Sequence, residues 1–267
     1  MLVRLITGLI GVPFVIFIVL QGGLLMQIVG VILALIGASE YYRVVSKVYN
    51  PVKLLGIVAT GIYMLGYQYF ATNYHLFIGI FLVALLILTV LTYPKYNIGD
   101  IAITFVAPTY IGLFFGLILM MRDLPSGLFW VVVLFMSAWG SDTCAYFAGR
   151  FLGKKKLAPV LSPKKTVEGA IGGVVGAGII VYIFSFVMNK NNYIVATNNE
   201  LLILLIIGCI GAVLSQFGDL AASSIKRNME EKDFGNLFPG HGGVLDRFDS
   251  ILLIAPFIYM CALWLNI

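Results

Sequence analysis

Nine apolar runs dominate this chain, at residues 5–20, 23–39, 54–71, 76–92, 101–121, 127–148, 169–188, 201–221 and 250–266. Each comes close to the ~20 residues that a helix rising ~1.5 Å per residue needs to cross ~30 Å of hydrocarbon. Lipid offers the backbone no hydrogen-bond partner, so runs of this kind must form helices. The chain is 61% hydrophobic and 11% charged, whereas a soluble domain carries about 25% charged residues. Its mean hydropathy is +1.02. The expected fold class is therefore all-α: a polytopic integral membrane protein of about nine transmembrane helices, forming a single membrane domain over 1–267. The first run follows Arg4, and no small-residue cleavage site stands out, so it reads as a retained span. Cys144, Cys209 and Cys261 lie far apart in apolar runs and lack metal-ligand spacing, which makes them packing residues.

The distribution of charge sets the orientation. Nine spans place the N-terminus and every second loop on one side, and that side collects all but Arg122 and Lys190 of the 17 basic residues. By the positive-inside rule the N-terminus is cytoplasmic. Two inner loops, 150–168 (RFLGKKKLAPVLSPKKTVE) and 223–249, hold most of the charge. The front of the chain, through about residue 100, reads as packing and lipid contact. Its Glu40 reads as an interfacial residue paired with Arg43. Residues 101–267 read as the catalytic half. The basic loops face anionic lipid, and no nucleic-acid partner is expected.

Three carboxylates resist a packing explanation. Asp142 lies near the inner end of the sixth run, Asp219 near the inner end of the eighth, and Asp246 opens the ninth. A carboxylate at membrane depth faces a cavity, a partner or an ion. Ser215, Asp219 and Ser223 share one helix face through i, i+4, i+8 spacing. Several Asp supply the hard oxygens that Mg²⁺ prefers, and the neighbouring Lys and Arg suit phosphate oxygens. Glycines let backbone N–H groups approach a phosphate. Together these residues point to metal-assisted phosphoryl or nucleotidyl transfer. No GxxxxGK[ST] loop and no CxxC occurs, which disfavours a P-loop enzyme and a zinc site.

The run SSIKRNMEEKDFGNLFPGHGGVLDRFD, Ser223–Asp249, resembles the signature of the phosphatidate cytidylyltransferase (CDP-diacylglycerol synthase) family. It carries Ser223, Lys226, Arg227, Lys232, Asp233, Gly235, Phe238–Pro239, His241–Gly242–Gly243, Asp246–Arg247 and Asp249. SPKKTVEG (Ser162–Gly169) and SDTCAYFAG (Ser141–Gly149) are similar to that family as well. The resemblance implies the reaction CTP + phosphatidate → CDP-diacylglycerol + pyrophosphate, for phospholipid synthesis. It also implies Mg²⁺ dependence, with a second cation left open, an integral membrane enzyme and a homodimer. It further implies that the helices bearing Asp219 and Asp246 meet at the metal centre.

On that resemblance Asp219 and Asp246 hold Mg²⁺, with Asp142 and Asp249 as further ligands or supports. Lys226, Arg227 and His241 act beside them. Substrate contacts fall to Ser162, Lys164, Lys165, Thr166, Ser223, Lys232, Asp233, Gly242, Gly243 and Arg247. The expected location is the inner (plasma) membrane of a cell, with the site facing the cytoplasm, where a lipid substrate and CTP meet. The rival readings are a CTP-dependent polyprenol or phytol-type lipid kinase, a cation-coupled transporter that uses Asp142 and Asp219, and an inactive scaffold.

Overall fold

The computed structural model describes residues 2–265 and 267, with side chains from residue 9 onward. The side chain of Arg4 and the whole of Asn266, the last residue of the ninth expected span, lie outside the described residues. The helices are α1 (Leu2–Gln21), α2 (Gly23–Val45), α3 (Lys53–Leu65), α4 (Tyr67–Leu91), α5 (Ile98–Arg122), α6 (Gly127–Leu152), α7 (Val167–Lys190), α8 (Asn198–Asn228) and α9 (Leu245–Trp264). Among the described residues, 7 of them, α2 and α4–α9, are long and apolar enough to cross a membrane. The protein is a polytopic α-helical membrane protein.

The third expected span is the clearest departure from the sequence reading. Residues 54–71 were to form one crossing, but α3 has 13 residues and reaches only about 20 Å at ~1.5 Å per residue. Gly66 ends α3, and α4 starts at the next residue. The connection expected at Thr72–His75 therefore lies inside α4, where Asn73 (φ −116°, ψ 24°) marks a kink. Within α5, residues Ala107–Gly112 form a π turn containing Pro108. Proline lacks an N–H and crowds the carbonyl four residues back, and a widened turn accommodates both defects.

The chain divides into two compact units, Met1–Asp123 with Ile225–Phe248, and Leu124–Ser224 with Asp249–Ile267. In the first unit, Tyr42, Tyr63, Met64, Ile111 and Leu245 are almost wholly buried. The ring of Tyr42 lies directly over Gly56, and its hydroxyl donates to the Thr104 carbonyl at 2.6 Å. Rings run from Tyr63 through Phe70, Phe77 and Phe81 to Phe105, with centroids 5.3–6.1 Å apart along the chain of rings. Asn97 and Asp100 form a capping box at the start of α5, and Asp100 also accepts from the Asn50 N–H at 2.7 Å.

In the second unit α6 and α7 pack along a seam of small residues. A Cβ on Gly173 would stand 2.9 Å from the Ser141 carbonyl, and one on Gly169 would stand 2.8 Å from that of Ala145. In lipid, apolar side chains gain little from meeting one another, so van der Waals fit between closely approaching backbones holds such helices together. Cys144 packs on Gly176 and Cys209 on Gly178, in keeping with their reading as packing residues. A short antiparallel hairpin joins α6 to α7. Its strands are β1 (Lys156–Ala158) and β2 (Ser162–Thr166), paired Lys156 with Thr166 and Ala158 with Ser162. Glu168 closes its base by accepting from the Lys154 and Lys155 N–H groups at 3.0 and 3.2 Å.

Candidate active site

The predicted site residues fall into two clusters, one in each unit. In the second unit a cavity of about 350 Å³ is walled by Asp142, Tyr146 and Arg150 of α6, Lys164, Lys165 and Thr166 of β2, and Gln216 of α8. Both lysines of SPKKT line this cavity, and Ser162 sits at the start of the strand, outside the lining. Thr166 caps α7 by accepting from the Gly169 N–H at 3.1 Å. Lys165 forms an ion pair with Asp219, whose side chain is 31% exposed. Gln216, three residues before Asp219 on α8, donates to the Ala170 carbonyl at 3.0 Å and fixes that wall. Arg150, Lys164 and Lys165 thus share one chamber with Asp142, and Lys165 links it to Asp219; cations suit a phosphate and carboxylates a divalent ion. In the same unit, Asp249 takes the Ser250 N–H at 2.7 Å and is buried.

The cluster in the first unit is built around a turn that the sequence spells out. Phe238–Pro239–Gly240–His241 closes with the His241 N–H on the Phe238 carbonyl at 2.8 Å. Proline stands second, and Gly240 third with φ +75°, the arrangement of a type II turn. The Phe238 N–H returns to the Gly242 carbonyl at 2.9 Å, and the Arg247 Nε donates to the His241 carbonyl at 2.8 Å. The His241 Nδ1 is buried and has no hydrogen-bond partner.

Asp246 is the hub of this loop. Its Oδ2 accepts from the N–H groups of Phe234, Gly235 and Gly243 at 2.7, 3.3 and 2.9 Å. Its Oδ1 accepts from Lys226 Nζ at 2.7 Å, and the side chain is only 3% exposed. The Lys226 ammonium also lies 5.2 Å from the centre of the Phe234 ring, within cation–π range. Gly242, at φ +85°, could not carry a side chain, because its Cβ would lie 2.7 Å from the Asp246 Oδ2. Arg227, Lys232 and Arg247 are exposed around the loop, and Asp233 is partly so; Ser223, in the second unit, is half-buried.

One participant departs from its sequence reading. Glu40, expected at the interface in a pair with Arg43, is buried, and its carboxylate accepts from the Val244 and Leu245 N–H groups at 3.0 and 3.1 Å. Arg43 instead donates to the Phe234 carbonyl. Lys47 pairs with Glu231 at 2.8 Å and holds that carboxyl below its ordinary range. The numbers 40, 43 and 47 follow i, i+3, i+7, one face of α2 and its extension. The front of the chain therefore supplies polar grips as well as packing. Helical spacing was the only signal that could have flagged them.

The four predicted metal carboxylates do not form one assembly within either unit. Asp246 belongs to the first unit, and Asp142, Asp219 and Asp249 to the second. Among the described residues, no group of three or more His, Cys, Asp or Glu could hold a metal ion. Mg²⁺ needs no such cage, because it takes one or two carboxylates and fills its octahedron with phosphate oxygens and water. Asp219 fits that demand as a hard oxygen donor, a third exposed and paired with a single lysine. Asp246 already serves four donors, which is about the capacity of a carboxylate.

Membrane-crossing helices that bear carboxylate–lysine clusters and a glycine-tight loop define a membrane-embedded enzyme equipped to handle phosphates. The comparison with known proteins is narrower. The chain belongs to the cytidylyltransferase family, whose model matches residues 2–265, and it is a nucleotidyltransferase. It is 34% identical to the phosphatidate cytidylyltransferase of Bacillus subtilis over 263 residues, 96% of this chain and 95% of that one. It is 34% identical to that of Staphylococcus saprophyticus over 269 residues, 97% of each chain. It is 33% identical to that of Staphylococcus haemolyticus over 267 residues. This agrees with the resemblance read from Ser223–Asp249.

Proposed function

We propose that the protein transfers CMP from CTP to phosphatidate, giving CDP-diacylglycerol and pyrophosphate for phospholipid synthesis. The reaction takes place at the cytoplasmic face of the inner membrane, with Mg²⁺. The observation that carries this reading is the nearly end-to-end similarity to relatives named phosphatidate cytidylyltransferase. The gathering of Lys and Arg in the 150–168 and 223–249 loops supports the assignment of the face, because loops rich in these residues stay on the cytoplasmic side.

A phosphate oxygen of phosphatidate attacks the α-phosphorus of CTP. A new P–O bond forms, the α–β anhydride bond breaks, and pyrophosphate leaves with its charge. A phosphomonoester titrates near pH 6, so the nucleophile arrives ionised and needs no strong base, consistent with a site that lacks a Ser–His or Cys–His pair. The obstacle is repulsion between a dianion and a triphosphate, so catalysis consists of positioning and charge neutralisation. Lys164 and Lys165 neutralise phosphate oxygens in the α6–β2–α8 chamber. Arg150 on the chamber's rim assists, its guanidinium resting on the Tyr146 hydroxyl at 3.0 Å. Mg²⁺, when bound, offsets charge on the triphosphate and on the departing pyrophosphate. Asp219, which pairs with the chamber's Lys165, is the carboxylate whose surroundings fit it best, with Asp142 of the chamber wall as the further ligand. A ligand role for Asp246 requires its Oδ1 to release Lys226.

The products test the function. Pyrophosphate and a CMP-bearing lipid support it, release of CDP means a lipid kinase, and no nucleotide product points to transport. For the site, Asp219→Ala should insert normally and turn over no substrate. Retained activity in that variant would overturn the role given to Asp219.

A further inference from the structure

A helix N-terminus presents several N–H groups without intrahelical partners and is a ready anion site. At the start of α9, in a loop rich in glycine, such a site would be the natural seat for a substrate phosphate. The structure fills it from within. The Gly243 N–H goes to Asp246, and the Val244 and Leu245 N–H groups go to the two oxygens of Glu40. A Cβ on Gly235 or on Gly243 would overlap the Glu40 carboxylate. These glycines therefore make room for a protein carboxylate from α2, some 200 positions away in the chain (|i−j| = 204 for the first contact). Arg43, one turn along α2, holds the Phe234 carbonyl, and the Phe234 N–H returns to Asp246. Arg43 and Glu40 thus grip the two ends of the Phe234–Leu245 segment, the same ends whose N–H groups are fastened to Asp246 and, through it, to Lys226.

We infer that Glu40 is a positioning residue for the transfer reaction: it occupies the anion site at the head of α9 and fixes the Phe234–Asp246 loop, and hence the Asp246–Lys226 pair. Its carboxylate stands where a phosphate would otherwise bind, so substrate phosphate is recognised by side chains and not by the backbone of this loop. The inference rests on the proposed function for its kinetic part only.

The test has two arms. Hydrogen exchange on the wild-type protein in detergent should show the Val244 and Leu245 amides protected at least about tenfold over that of Gly240 at the turn tip. Equal exchange would overturn the inference, and this arm needs neither a variant nor a working assay. Glu40→Gln keeps the shape but replaces one accepting oxygen with an NH₂ group that faces a backbone donor. With the spans intact, kcat should fall by about tenfold or more while KM for CTP stays within about threefold, the pattern of lost transition-state positioning. Unchanged kcat would overturn the inference. So would a tenfold rise in KM with kcat preserved, which would make Glu40 a nucleotide contact. If the wild type transfers no CMP at all, the proposed function fails, and the exchange result still decides where Glu40 acts.

Discussion

Replacing Lys226 with Met removes one partner of a buried ion pair and leaves the other in place. The two groups are 2.7 Å apart, with side chains 10% and 3% exposed, so water cannot take over the lost contact. Breaking such a pair from one side costs about 3–5 kcal/mol, because an uncompensated charge stays buried. Asp246 retains three backbone N–H donors, which places the loss at the lower end, about 3 kcal/mol. At about 2–4 °C per kcal/mol for a chain of this size, the unfolding midpoint should drop by about 6–12 °C. The assay is thermal unfolding in detergent, followed by the fluorescence of Trp130, Trp139 and Trp264. The double variant Lys226→Met/Asp246→Asn is the decisive comparison. It removes the buried charge yet keeps an oxygen for the loop N–H groups, so it should unfold at a higher temperature than Lys226→Met alone. A Lys226→Met midpoint within about 2 °C of wild type, or losses in the double variant that simply add, would refute the reasoning.

Two further outcomes follow from the ion pairs. The Lys165–Asp219 pair is about a quarter to a third exposed, so Lys165→Met should change stability by less than about 1 kcal/mol while sharply lowering turnover. A large fall in the unfolding midpoint with activity preserved would mean that the pair is structural. Glu231 is held below its ordinary pKa of 4.5 by a hydrogen bond from Lys47 and then by the Lys47 charge. A lowered folded pKa means that this contact stabilises above the unfolded value and is lost as pH falls below 4.5 through the folded one. Wild type and Lys47→Met should therefore differ at neutral pH and converge in acid, and a gap that persists in acid would show that the pair does not titrate this way.

Much of this architecture is legible in the sequence because its causes are local. Apolar runs of span length dictate helices, and the Phe–Pro–Gly–His turn is written in its residue types. The cluster of Lys226, His241 and Asp246 lies within one short signature. What escaped the sequence reading has non-local causes. Nothing near Glu40 marks it as the cap of a helix that begins at Leu245. The end of α3 at Gly66 comes without a polar loop, so hydropathy runs straight through it. The hairpin at Lys156–Thr166 has strands of 3 and 5 residues, too short for alternation to stand out among so many lysines. The pairing of Lys165 with Asp219 depends on how that hairpin folds against α8. Sequence placed both residues among the candidates but could not join them.

The most direct test of the central claim is where the label goes. Purified protein in detergent would be given phosphatidate, Mg²⁺ and CTP labelled at either the α- or the γ-phosphate. The account predicts that α-label enters a lipid, that γ-label appears in pyrophosphate, and that EDTA abolishes both. Label from the γ-phosphate in the lipid, with CDP released, would contradict it.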